Sequence, residues 1–142
     1  MAFVSVTRLR VRSWRFLPMF LIGSLCSAQQ AKSADGNLAV AVLRQPKSTY
    51  WTQTVWASEA AMKAFMLAGA HRRAMRKLLE WCDEAALVHW TQDSAVPPGW
   101  PEAREKMQAI GRTSKVNHPS KDHLAFRIPE LRTPITGETT LK

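Results

Sequence analysis

Residues 2–12 alternate in character. Phe3, Ser5, Thr7, Leu9 and Val11 share one side of an extended chain, and Val4, Val6, Arg8, Arg10 and Arg12 share the other. The β-branched content of this run favours a strand. After Pro18, suited to a first helical turn, Phe20, Leu21, Leu25, Ala28, Ala31 and Lys32 recur at helical spacing. Asp35-Gly36-Asn37 supplies a stop and a turn. Residues 38–43 are a continuous apolar run typical of a buried strand, and Gln45-Pro46-Lys47-Ser48 is turn material. The aromatic and β-branched stretch from Thr49 to Trp56 reads as the partner strand of a hairpin.

Ser58 is placed to cap the next helix and Glu59 to favour its positive end. Met62, Phe65, Met66 and Gly69 form one helical face, and the pattern resumes with Ala74, Met75, Leu78, Leu79 and Cys82. Gly69 marks a kink or a boundary between two helical pieces. Residues 85–91 read as a fourth strand. Pro97-Pro98-Gly99 is a boundary, which separates a domain at residues 1–96 from a second region at 97–142. In that second region Trp100, Ala103, Met107 and Ile110 form one stripe of a short helix. From Arg112 onward the chain is polar, Pro-punctuated and without periodicity, so it is expected to be an extended or disordered arm.

The first 28 residues also have the outline of a secretory leader: arginines, then an apolar stretch, then small residues at Cys26-Ser27-Ala28. A leader has no need of an alternating strand before its apolar region, so the segment is read as the first strand and helix of the fold. With 142 residues and 46% hydrophobic content the chain can build a core, to which six Trp, five Phe and six Met contribute large apolar surfaces. The net charge of +9 suits anionic partners, but the basic residues are scattered and no nucleic-acid motif accompanies them. The expectation is therefore no nucleic acid. No apolar run reaches the roughly 20 residues needed to span a bilayer, so no membrane partner is expected either. Cys26 and Cys82 show no paired or zinc-type spacing and are read as two buried, reduced thiols of a cytoplasmic protein.

The order of elements, with Thr7-Arg8-Leu9-Arg10, Gly36-Asn37-Leu38, residues 51–56 and 58–65, Gly69-Ala70-His71-Arg72 and His89-Trp90, resembles the dimeric α+β barrel superfamily. Within it, the chain looks most like antibiotic-biosynthesis-monooxygenase-like proteins and distant relatives of spheroidene monooxygenase. The resemblance implies a ferredoxin-like β-α-β-β-α-β fold: a four-stranded antiparallel sheet with helices on one face. It further implies a homodimer in which the open faces of two sheets meet, and a ligand pocket between sheet and helices. There is a physical reason to expect a second layer, because a sheet with aromatics on both faces cannot leave one of them in water.

For function, the resemblance implies a monooxygenase-like protein that binds a small aromatic or polycyclic molecule and needs few catalytic residues and no cofactor. A haem-handling protein with His71 as iron ligand is the alternative, and a non-enzymatic dimeric binding module is a third. The haem-degrading pattern pairs its histidine with an earlier helical Trp and a first-strand Asn, whereas this chain has Ala61 and Thr7 or Arg8 there. His71 and His89 are the candidate catalytic residues. Arg8, which could hold a carboxylate or propionate, and Trp51, Trp56 and Phe65, which could wall a pocket, are the candidate substrate-binding residues. Each also has a plainer role: His71 at a helix end, His89 and the aromatics as core, the arginines as edge charges. No metal-binding cluster is expected apart from haem at His71.

Overall fold

The computed structural model describes residues 1–142 apart from residues 70 and 71. The chain runs β1 (Ala2–Val11), a 3-10 turn (Trp14–Phe16), α1 (Leu17–Ser33), β2 (Asn37–Gln45), β3 (Thr49–Trp56), α2 (Glu59–Met66), α3 (Gly69–Trp81) and β4 (Cys82–Gln92). It continues with α4 (Trp100–Ile110), β5 (Arg112–Thr113), α5 (Lys121–Leu124) and β6 (Glu138–Thr140). The fold is α+β and ferredoxin-like, built on an antiparallel six-stranded sheet in the order β5-β4-β1-β3-β2-β6. The predicted hairpin, the first helix after Pro18 and the break before Gly69 are all present. β4 starts at Cys82, earlier than residue 85, because Asp83 and Glu84 find arginine partners on β1 and can sit in a strand.

Strand register sorts the sheet into cross-strand rows, and directly opposed residues share a face. One face carries the rows His89–Ser5–Thr54–Val40 and Leu87–Thr7–Thr52–Val42, with Phe3–Trp56 at one end and Ala85–Leu9–Tyr50 at the other. The opposite face carries Trp90–Val4–Val55–Ala39, Val88–Val6–Gln53–Ala41 and Ala86–Arg8–Trp51–Leu43. The first face is covered by α1, α2 and α3. Ala28, Ala31, Met62 and Phe65 pack on Phe3, Val40 and Trp56, while Phe20, Leu17, Leu78 and Trp81 pack on Val11, Ala85, Leu9 and Tyr50.

The opposite face is covered by the chain's own C-terminal segment. Trp100, Ala103 and Met107 of α4 and Ile128 beyond it are buried against Val4, Val6, Leu43, Trp51, Val55 and Val88. Phe126, Leu131 and Ile135 pack at the margin of this cluster. β5 pairs with Ala86 and Leu87, and β6 pairs with Ala41 to Leu43. The arm expected from Arg112 is irregular, and its disordered alternative is corrected, because it packs on the sheet. The segment has no period because it is an irregular strap whose isolated apolar residues each meet the sheet separately. The sheet face that the resemblance assigns to a second subunit has its covering layer within this chain. Of the predicted α4 stripe, Ile110 is the exception and is exposed.

Gly36 closes the turn into β2 with φ +83°, and a Cβ there would lie 2.7 Å from the Cβ of Ala61. Neither the left-handed backbone nor the contact with α2 tolerates a side chain. Gly36→Ala is expected to lower stability by about 1–3 kcal/mol, read from the midpoint of urea denaturation at unchanged slope.

Candidate functional site: a gap under the helix layer

The two clusters on the helix-covered face hold its ends and leave its middle. Ser5 and Thr7 lie on β1 and Thr52 on β3, the central strands, where full burial is the rule. Yet all three side chains are only half-buried, as are Val42, Leu87 and His89 in the same two rows. On the opposite face the equivalent central residues Val6, Val4, Val55 and Val88 are at most 1% exposed. α1 repeats the same interruption along its sheet-facing stripe. Phe20 is buried in one cluster and Ala28 and Ala31 in the other, but Ser24, one turn after Phe20, is exposed. The helix layer therefore leaves a solvent-reached gap in its cover over the middle of this face.

The floor of this gap is polar in an otherwise apolar face. The Trp56 indole N–H donates to Thr54 Oγ1 at 2.8 Å, and the Thr54 hydroxyl donates to the Ser5 carbonyl at 3.5 Å. Ser5, Thr7 and Thr52 add hydroxyls beside it. His89 closes the row, its ring 5.5 Å from that of Phe3 and tilted by 55°. Burial pushes the His89 imidazole below its ordinary pKa, helped by the positive charges of Arg112 and Lys63 and opposed by Glu59. At neutral pH it is an uncharged ring able to accept a proton or a hydrogen bond. The Trp56 and Phe65 rings lie 5.2 Å apart, tilted by 31°, within the buried cluster at that end of the face.

The structure brings together only part of the residue set inferred from the sequence. His89 lies in the half-buried middle of this face, while Trp56 and Phe65 are buried in the closed cluster at its end, 0% and 9% exposed. Trp51 and Arg8 lie on the opposite face, so their assignment to a shared sheet–helix pocket is corrected: strand alternation puts them one residue out of phase with Thr52 and Thr7. Trp51 is 1% exposed and serves the core beneath α4. Arg8 is buried and donates to Glu84 at 2.7 Å, so its guanidinium is committed within the chain. His71 lies outside the described residues.

Arg8 belongs to a ladder of ion pairs that joins β1 and the residue after it to the end of α3 and the start of β4. Arg10 binds Asp83 through two hydrogen bonds of 3.0 and 2.7 Å, and Arg12 pairs with Glu80. These are the arginines expected as edge charges, and their partners are the acidic residues at the α3–β4 junction. The Ser120 hydroxyl donates to the other oxygen of Glu84 at 2.7 Å, which pins the C-terminal strap to the ladder. Cys82 is buried, but Cys26 is exposed, which corrects the expectation that both thiols are buried. No group of three His, Cys, Asp or Glu suited to a metal ion occurs among the described residues. No helix among them is long and apolar enough to cross a membrane.

The fold is that of antibiotic-biosynthesis-monooxygenase-like proteins. SnoaB, a cofactor-independent oxygenase from Streptomyces nogalater, superposes with a TM-score of 0.56 at 15% identity, over 68% of this chain and 98% of its own. A protein from Nitrosomonas europaea assigned to the antibiotic biosynthesis monooxygenases gives 0.59 at 13% identity, over 69% and 94%. Rv0793 from Mycobacterium tuberculosis gives 0.58 at 12% identity, over 68% and 100%. These likenesses establish the fold. A search of curated proteins found no match. The sequence matches the family described as Domain of unknown function (DUF3291) over residues 26–129, and the chain belongs to that family. The matched stretch runs from α1 through β4 and α4 into the strap, so the family pattern includes much of the layer that covers the second sheet face.

Proposed function

We propose that this DUF3291 protein is a monooxygenase-like protein that binds a small electron-rich aromatic or polycyclic molecule in the gap between sheet and helices. The observation that carries the reading is the half-buried middle of the helix-covered face, where an imidazole and several hydroxyls sit between two closed apolar clusters. Phe3, whose ring lies beside His89, with the buried Trp56–Phe65 cluster behind it, gives this stretch an aromatic end suited to a planar ligand, and the hydroxyls of Ser5, Thr7 and Thr52 suit its phenolic or carbonyl oxygens. The fold shared with a cofactor-independent oxygenase supports the same reading.

The chemistry asks little of the protein. His89, uncharged at neutral pH, takes a proton from the acidic position of the bound ring system, and the electron-rich anion left behind reacts with molecular oxygen. One oxygen atom enters the product, and the other leaves as water with the two hydrogens lost from the substrate. Holding the ring against this aromatic end keeps the reacting carbon beside His89. No cofactor takes part in this scheme, and it needs no second copy of the chain, because both sheet faces already have a covering layer.

The test uses anthrone as probe and oxygen uptake as readout. Uptake with formation of the quinone is expected without added metal or haem, and His89→Gln is expected to slow it at least tenfold with circular dichroism unchanged. The rate should fall as pH drops below about 6.5, because His89 titrates below the ordinary imidazole value. Equal rates for the two proteins, or a flat pH profile, would remove His89 from the mechanism. Activity that appears only after haem is added, with a Soret band, would replace the cofactor-free scheme with a haem-dependent one.

A further inference from the structure

A second recess lies on the outer side of the helix layer, in the seam between α1 and α3, away from the sheet. Its volume is about 370 Å³, within the range of ligand sites. Met19, Ile22, Gly23 and Cys26 of α1 line one wall, and Ala74 and Trp81 contribute to the other. Gly23 permits the close approach of the helices: a Cβ added there would lie 3.9 Å from that of Ala74. Met19 and Ile22 are 50% and 57% exposed, although a helix of a closed domain normally turns such residues inward.

The charge around the recess is of one sign. Arg73, Arg76 and Lys77 of α3 line it. Among the described residues none of the three forms an ion pair, while the acidic residue nearest in sequence, Glu80, is occupied by Arg12, Asn117 and His118. Lys77 lies over the Trp81 ring at 5.8 Å, which brings its ammonium to the edge of the apolar lining. An apolar cleft with uncompensated cations at its rim is complementary to a molecule that has an apolar body and one anionic end.

From this complementarity the structure assigns to the α1–α3 recess a binding site for a small amphiphilic anion, a carboxylate carried on a single apolar chain or ring. The chain would lie along Met19, Ile22 and Trp81 and the carboxylate would meet Arg73 and Arg76. The site is separate from the gap over the sheet and does not depend on its function.

Cys26 provides a direct reporter. It is exposed in the recess, whereas Cys82 is fully buried and its thiol is pushed up to about 12 by burial and by Asp83. Iodoacetamide should therefore alkylate Cys26 alone, and mass spectrometry follows the rate. Decanoate, below its micelle concentration, is expected to slow alkylation saturably by at least tenfold. 1-Decanol should protect at least tenfold less well, and the Arg73→Glu/Arg76→Glu protein should lose most of the protection by decanoate. Both arginines are exposed, so this variant is expected to fold as the parent does. Alkylation unaffected by decanoate would overturn the site. Equal protection by decanoate and decanol would overturn its anionic preference. Protection by phosphatidylglycerol vesicles but not by monomeric decanoate would make the recess a membrane-facing surface instead.

Discussion

Removal of residues 97–142 leaves a chain that does not fold. The deletion strips α4 and the strap from the sheet and uncovers Val4, Val6, Leu43, Trp51, Val55 and Val88, each now at most 1% exposed. Burial of one such side chain is worth about 1.5–3 kcal/mol, so the six together approach or exceed the ~5–15 kcal/mol by which domains of this size are stable. β5 and β6 leave as well, and both outer strands lose their neighbours. The expected result is an aggregated product without a cooperative thermal transition. A soluble 1–96 fragment with a sharp transition would mean that the uncovered face is buried another way, such as against a second copy. That is the arrangement the family resemblance implies for chains whose sheet face is open.

Glu84→Ala is the point substitution expected to cost most. It removes the partner of Arg8, whose side chain is 7% exposed, and leaves a guanidinium buried without compensation. Breaking a buried ion pair from one side costs about 3–5 kcal/mol, whereas replacing both partners with apolar groups is often neutral. Arg8→Leu/Glu84→Leu should therefore recover most of the loss, which chemical denaturation of the three proteins measures. A loss in the double variant equal to that in Glu84→Ala would show that the contacts of the other Glu84 oxygen, with Ser120 and Arg10, matter more than the Arg8 pair. The pair also has a pH signature. Burial alone would raise the Glu84 pKa, but the hydrogen bonds from Ser120 and Arg8 outweigh it and the net shift is downward. Its contribution is complete above the ordinary carboxylate range and is lost as pH falls through the lower folded value.

The elements that are regular were legible in the sequence. Alternation in residues 2–12, the apolar run before Arg44, the aromatic stretch 49–56 and the Ser58 cap each mark an element that is present, because residue type or period there reflects how the element is buried or capped. The strap from Arg112 was not legible. Val116, Phe126, Ile128, Leu131 and Ile135 reach the core from irregular backbone, and no period links them. The site was legible by half. His89, Trp56 and Phe65 stand out by residue type, but Ser5, Thr7 and Thr52 are small hydroxyl residues common in any strand. Their signal lay in phase: Ser5 and Thr7 are the polar positions on the Phe3–Leu9 side of β1, which the helices should otherwise have sealed. Arg8 and Trp51 are out of phase with these residues and so lie on the other face. Combining residue 7 with residue 51 or 8 with 52 mixes two faces, and only the strand register sorts them.

The gap over the middle of the sheet is the centre of the functional reading, and the His89 imidazole is its most specific probe. Proton NMR of the ring resonance should be followed against pH and then against anthrone added without oxygen. A titration midpoint below about 6.5 and a saturable shift of the His89 signal, with those of His118 and His123 unchanged, are predicted. A His89 midpoint at or above the ordinary imidazole value, with no response to the aromatic probe, would contradict the account.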